Sequence, residues 1–326
     1  MNEYFNSSAD YYMQKENERK AIKRISIISG LCVIAYVAIQ NVLSIIIYLT
    51  PLGKLYETDL TMRSVVTIFL SVLGLMLPFA VGGALIGRKT GSSVFNFGKP
   101  VSTKLMLAAV PLGFFVCLIG NYITGIFVTY METLGIALSS PEYPTPSDLP
   151  DRIIYSVSIA VVPALVEEFA IRGAVLQPLR KYGDKFAILV SSLLFAIIHG
   201  NLIQAPFALI AGIGIGYAVC ITNSVWTGVL IHFCNNFFSV FVSFLIEDIQ
   251  DETMLDSVYL KLMIVLYAIS ITGSVIFVIL KGRRKLMPSF TALSEGKKFR
   301  TFVFTLPMII TILVMLYLTS NYIDFA

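Results

Sequence analysis

From residue 25 onward, long apolar runs alternate with short segments that hold nearly all the charge. A helix needs about 20 mostly apolar residues to cross the hydrocarbon core of a bilayer. Nine runs meet or approach that length: Ile25–Leu49, Val65–Ile86, Leu105–Met131, Ile153–Leu179, Phe186–Ile198, Ala205–Ile221, Val225–Ile246, Val258–Leu280 and Phe302–Tyr322. The fifth and sixth are short and flank a tight polar turn, Gly200–Gln204. They read either as full spans or as a helical hairpin bending near one face. The first run is too long for the apolar region of a signal peptide, about 7–15 residues, and reads as a retained span. The pattern therefore predicts an all-α polytopic bundle of about nine spans, eight or nine. Its parts are a polar tail over 1–24, a three-span scaffold over 25–152, a four-span core over 153–246 and a two-span scaffold over 247–326.

Composition agrees. The chain is 56% hydrophobic and 13% charged, against about 45–50% and about 25% in soluble domains. That much apolar surface cannot be hidden in a core, so the solvent for most of the chain is lipid. The net charge of +4 makes no case for nucleic acid as a partner. Cys32, Cys117, Cys220 and Cys234 lie in apolar stretches without paired spacing and read as small hydrophobes.

The placement of charge tests the span count, because cytoplasmic loops collect Lys and Arg. With the N-terminus inside and nine spans, nineteen of the 24 basic residues fall in inner segments and four (Lys54, Arg63, Arg152 and Lys261) on the outer side. The acidic loops Glu132–Asp151 and Glu247–Asp256 are also outer. This asymmetry favours a multi-pass protein of the cell membrane with a cytoplasmic N-terminus. The remaining basic residue, Arg172, falls within the fourth span. So do Glu167 and Glu168, the only acidic residues inside any run, and both histidines, His199 and His232, reach membrane depth.

Ionisable groups at the bilayer centre are expensive, about 2.5–3.5 kcal/mol each on insertion scales, and persist where they pair, line water or do chemistry. Glu168 and Arg172 are i, i+4 on one helix face and suit an ion pair. Glu167 points about 100° away and must find partners on other helices. His232 and Asn236 are likewise i, i+4. Counting about 1.5 Å per residue from the inner helix ends puts Glu167 at about 18 Å, His199 at about 20 Å, His232 at about 10 Å and Asn236 at about 16 Å. Antiparallel helices thus deliver all four to one layer.

A carboxylate, two imidazoles and an amide suit hydrolysis. Glu167 in a low-dielectric site fits a general base, His199 fits orientation of water and later protonation of the leaving amine, and His232 with Asn236 fit oxyanion stabilisation. The same atoms admit zinc, since two histidines and a carboxylate with water in the fourth position form a catalytic zinc set; Glu167, His199 and His232 are the candidate ligands. A metal-free mechanism uses them equally well. Read singly, Glu168–Arg172 is as well explained by a structural ion pair, a membrane histidine by packing, and Asn236 by interhelical bonding. Read together, a proton relay or substrate site in a transporter competes with hydrolysis on nearly even terms. The GxxxG spacing of Gly212 and Gly216 reads as close helix packing.

The ordered motifs Glu167-Glu168-Phe-Ala-Ile-Arg172, Phe195-Ala-Ile-Ile-His199 and His232-Phe-Cys-Asn-Asn236 resemble the EExxxR, FxxxH and HxxxN/D pattern of the CAAX prenyl-protease and bacteriocin-processing (CPBP, or Abi) family of intramembrane peptidases. Val162-Pro163 before the glutamates, Gly173 after the arginine, and the small-residue run Gly212–Tyr217 before Trp226 fit as well. The resemblance covers about Ile153 to Val240; Ile171, where the family usually has an aromatic, departs from it. It implies a peptidase in which Glu167 works with His199 on water and His232 with Asn236 on the oxyanion. Glu168, Arg172 and Phe195 then support them. Members have been described as metalloproteases and as metal-free glutamate-dependent enzymes, so zinc is left open. The implied substrate is a membrane-associated peptide or protein, prenylated or otherwise, as in CAAX trimming, peptide maturation or bacteriocin immunity. The alternative is a transporter or a non-catalytic immunity protein that binds ions or peptide at the same charges.

Overall fold

The computed structural model describes residues 8–141 and 144–325. The first seven residues of the polar tail and positions 142–143 of the Pro-rich outer stretch lie outside the described residues. The chain is helical almost throughout: α1 (Ser8–Tyr48), α2 (Pro51–Thr58), α3 (Leu60–Thr90), α4 (Thr103–Thr133), α5 (Leu149–Tyr182), α6 (Asp184–Ile198), α7 (Ala205–Thr222), α8 (Val225–Asp248), α9 (Glu252–Lys281), α10 (Glu295–Val303) and α11 (Leu306–Ser320). Two short strands, β1 (Ile136–Leu138) and β2 (Ile323–Phe325), pair antiparallel.

Among the described residues, seven helices are long and apolar enough to cross a membrane, or eight if α10 and α11, bent by 71°, form one broken span. Eight is the lower of the two expected counts, and α6 is why a ninth helix of spanning length is not among the described residues. Its 15 residues rise about 22 Å at 1.5 Å each, short of a core of about 30 Å. It packs against α7 as a hairpin, the second of the two forms the sequence allowed. The expected ninth span, Phe302–Tyr322, is broken where Pro307, at the start of α11, cannot donate a backbone hydrogen bond to the preceding turn. The polar tail, from Ser8 on, continues the first span as one 41-residue helix.

Polar contacts gather the helix ends into two layers. In the first, Glu18 accepts from the amides of Ala292 and Leu293, both at 3.0 Å. Arg24 donates to the Lys89 carbonyl, Lys298 to the Tyr182 carbonyl at 2.7 Å, and Arg180 to Asp184 and Asn223, each at 2.8 Å. In the second layer Arg152 meets Asp248, Thr61 donates to Asp151, and β1 lies beside β2. The α6–α7 bend sits within the bundle on this second side, where Gly200 faces Met315 of α11. Gly200 has φ +64°, a conformation that suits glycine, and so ends α6 directly after His199. The main core joins α1 and α3–α11, and most of its fully buried side chains come from α5–α8. Outward, the helices are apolar: Ile264, Val278, Ile279 and Leu313 are each more than half exposed, as lipid contact demands. This is a multi-pass membrane protein.

Candidate active site

The site is built on α5, which widens to π-helix twice. A regular stretch, Val162–Glu168, is flanked by π-helical stretches at Val157–Val161 and Phe169–Leu176. Such wide turns recur at functional sites because they re-aim side chains and free carbonyls. Pro163 has no N–H to offer the Ile159 carbonyl four residues back. Asn236 of α8 supplies one instead, its Nδ2 donating to Ile159 O at 3.2 Å. An unpaired backbone carbonyl at this depth costs several kcal/mol, so Asn236 ties α8 to α5 about two turns of α5 outward of the glutamates. Its Oδ1 accepts from Asn235 at 3.1 Å, and one amide N–H of Asn236 has no partner among the described residues.

Inward of this bond lies the ionic cluster. Glu168 and Arg172 are both fully buried, and Glu168 Oε1 is 2.9 Å from Arg172 Nη1. The contact is an ion pair without hydrogen-bond alignment. Arg172 donates from Nη2 to the Gly212 carbonyl of α7 at 3.4 Å, and its guanidinium lies 4.6 Å from the centroid of the Phe195 ring, a cation–π contact. His232 Nδ1 is 3.1 Å from the same Glu168 Oε1. A carboxylate only accepts, so Nδ1 carries the proton of that bond. His232 Nε2 then faces Glu167, whose Oε2 is 3.8 Å away. His232 thus lies between two carboxylates, one locked by arginine and one not. Glu167 Oε2 has no hydrogen-bond partner among the described residues, and its side chain is 22% exposed where that of Glu168 is fully buried.

His199, at the end of α6, is turned by its own helix: Nδ1 lies 2.7 Å from the Phe195 carbonyl. That carbonyl accepts, so Nδ1 donates and the lone pair is left on Nε2. The Phe195 ring stands edge-to-face with His199 at 4.8 Å and with His232 at 5.8 Å. Phe195 therefore meets both imidazoles and floors the arginine in one side chain. Every site residue read from the sequence lies in this assembly. The unpaired partner sought for Glu167 on another helix is His232. Among the described residues, no three His, Cys, Asp or Glu side chains group as a metal ion requires. Glu167 and His232 face each other at 3.8 Å, while the ring contact of His199 is with Phe195. The candidate zinc ligands are thus not gathered as one donor set.

Sequence reasoning missed three contributors. Asn235, buried at the site, orients Asn236. The connection between α3 and α4 folds inward, stacking Phe95 on Phe169 at 4.3 Å and bonding the Phe95 amide to Gly173 O at 3.1 Å; nothing in its composition announces that contact. Gly228 of α8 is the third, because a Cβ there would stand 2.6 Å from Glu168 Oε2. Gly228→Ala is expected to lower stability by about 1–3 kcal/mol through overpacking, and cleavage with it; a melting curve identical to wild type would contradict the contact. The glycines expected to pack helices do so: a Cβ on Gly212 would press on Ser192 at 3.0 Å and one on Gly216 on Ile188 at 3.3 Å.

No curated protein and no solved structure matches the chain. A family model does, over residues 149–238, described as Rce1-like, type II CAAX prenyl endopeptidase. That match agrees with the CPBP resemblance drawn from three short motifs: the segment from the start of α5 into α8, which carries both glutamates, the arginine, both histidines and the asparagine, is similar to the Rce1-like family.

Proposed function

We propose that this protein is an intramembrane endopeptidase that hydrolyses a peptide bond in a membrane-associated peptide or protein, with Glu167 as the general base. The observation that carries the proposal is the asymmetry between the adjacent carboxylates. Glu168 is fully buried and held by Arg172 at 2.9 Å and His232 at 3.1 Å, whereas the Glu167 side chain is 22% exposed and its contact with His232 is a long 3.8 Å. A purely structural charge cluster has no need of the second carboxylate.

In the proposed reaction Glu167 takes a proton from water as the water oxygen attacks the scissile carbonyl carbon. His199, with its Nε2 lone pair available, orients that water. The developing oxyanion accepts hydrogen bonds from the free amide proton of Asn236 and from His232 Nε2–H. With a proton on each nitrogen, His232 and Arg172 balance the charges of Glu167 and Glu168, so the cluster as a whole is neutral in its apolar surroundings. As the C–N bond breaks, the proton on Glu167 passes to the leaving amine.

The proposal places the N-terminal layer, where α1, α3 and α5 present Arg24, Lys89 and Lys181, in the cytoplasm of a cell-membrane protein, by the distribution of basic residues. The test is to reconstitute the protein in sealed liposomes with a library of membrane-associated peptides. Peptidase activity yields new termini, lost in His199→Ala. Accumulation of intact peptide in the lumen without new termini would instead favour transport and overturn the reading.

A further inference from the structure

Away from the ionic cluster, a cleft of about 680 Å³ opens where α1, the end of α3 and the end of α5 meet the segment before α10. Its size falls within the range of small-ligand sites, about 300–1,000 Å³. Four cations line it: Lys20 and Arg24 of α1, Lys89 in the last turn of α3, and Lys181 at the end of α5. Two acids also line it. Glu18 is committed, since it accepts from Ala292, Leu293 and Gln14; Asp10 lies about 21 Å along α1 from Arg24, at about 1.5 Å per residue. Basic side chains therefore dominate the upper part of the cleft.

Depth indicates what these cations meet. Arg24 is the last charged residue before the apolar run of α1, and Lys89 closes the apolar run of α3, so the upper cleft lies at the headgroup level. The same helix faces continue into the bilayer as exposed apolar surface. Leu31, seven residues beyond Arg24, is 51% exposed, and Leu85, four residues before Lys89, is 39% exposed. Cations at the interface with apolar side chains above them on the same faces form a pattern complementary to an anionic headgroup with acyl chains.

We propose that this cleft binds the phosphate headgroup of an anionic phospholipid and so ties the inner ends of α1, α3 and the catalytic helix α5 together. The proposal stands independently of the peptidase reading. It is tested by native mass spectrometry of the purified full-length protein titrated with phosphatidylglycerol, with phosphatidylcholine of the same chains, and with soluble glycerol phosphate. Phosphatidylglycerol is expected to bind best. The Lys20→Gln/Lys181→Gln variant is expected to bind it about thirty-fold more weakly, at about five-fold per interfacial cation removed. Lys285→Gln/Lys297→Gln, an equal charge change on the same layer outside the cleft, is expected to stay within about two-fold of wild type on the same scale. Melting in phosphatidylcholine checks that each variant is folded. Equal binding of both lipids, equal losses in both double variants, or glycerol phosphate binding as tightly as the lipid would each overturn the proposal.

Discussion

Glu167→Gln is expected to abolish peptide cleavage while leaving the melting temperature nearly unchanged. Glutamine keeps the size and the hydrogen-bonding reach of the side chain but cannot take a proton from water. Loss of a general base lowers turnover by about 10²–10⁴-fold. Stability should hold because Glu167 makes no hydrogen bond through Oε2 and only a 3.8 Å contact with His232. The measurement is turnover of a cleaved peptide by purified wild type and variant, beside their melting curves. Turnover within a few-fold of wild type would remove Glu167 from the mechanism. The partner substitution, Glu168→Gln, should behave differently and lower stability, since Glu168 holds both Arg172 and His232.

Arg172→Ala is expected to destabilise the protein by about 3–5 kcal/mol, because removing one member of a buried ion pair strands the other. The stranded group is Glu168, with no exposed surface and only His232 left to neutralise it. Activity should fall in parallel, as His232 is positioned by the oxygen that Arg172 holds. A second change separates charge from packing: adding Glu168→Gln to Arg172→Ala should recover part of the lost stability by removing the unpaired anion. Equal melting of wild type and Arg172→Ala would show that the pair carries no stability. Arg172→Lys should recover little, because a single ammonium cannot both pair with Glu168 and lie flat on the Phe195 ring while reaching the Gly212 carbonyl.

The layer of the site was legible before any coordinates. Spacing alone paired Glu168 with Arg172, and helix rise alone put Glu167, His199, His232 and Asn236 at similar depths. Partner choice was not legible. His232 and Asn236 share a face, which suggested one joint role, yet His232 bonds to Glu168 while Asn236 bonds to the Ile159 carbonyl. The signal for the second bond was present in Pro163, whose missing N–H frees a carbonyl, but a freed carbonyl does not name its donor. The same limit applies to Phe95, which reaches Phe169 through a connection without regular structure.

The sequence by itself determined that lipid is the solvent, that the chain is a helical bundle, which segments are helices and which polar groups are buried among them. These follow from free energies local to a residue or a helix, namely transfer into hydrocarbon and backbone hydrogen bonding within a segment. Only the tertiary structure decided that α6 falls short of a full span and turns back at Gly200. It alone decided that the last span breaks at Pro307, that Phe195 meets both histidines edge-to-face, and that one glutamate is locked while its neighbour is less tightly held. Those outcomes depend on the rotation and height of one helix against another, set by close packing of side chains far apart in the chain, and no periodicity within a single helix encodes them.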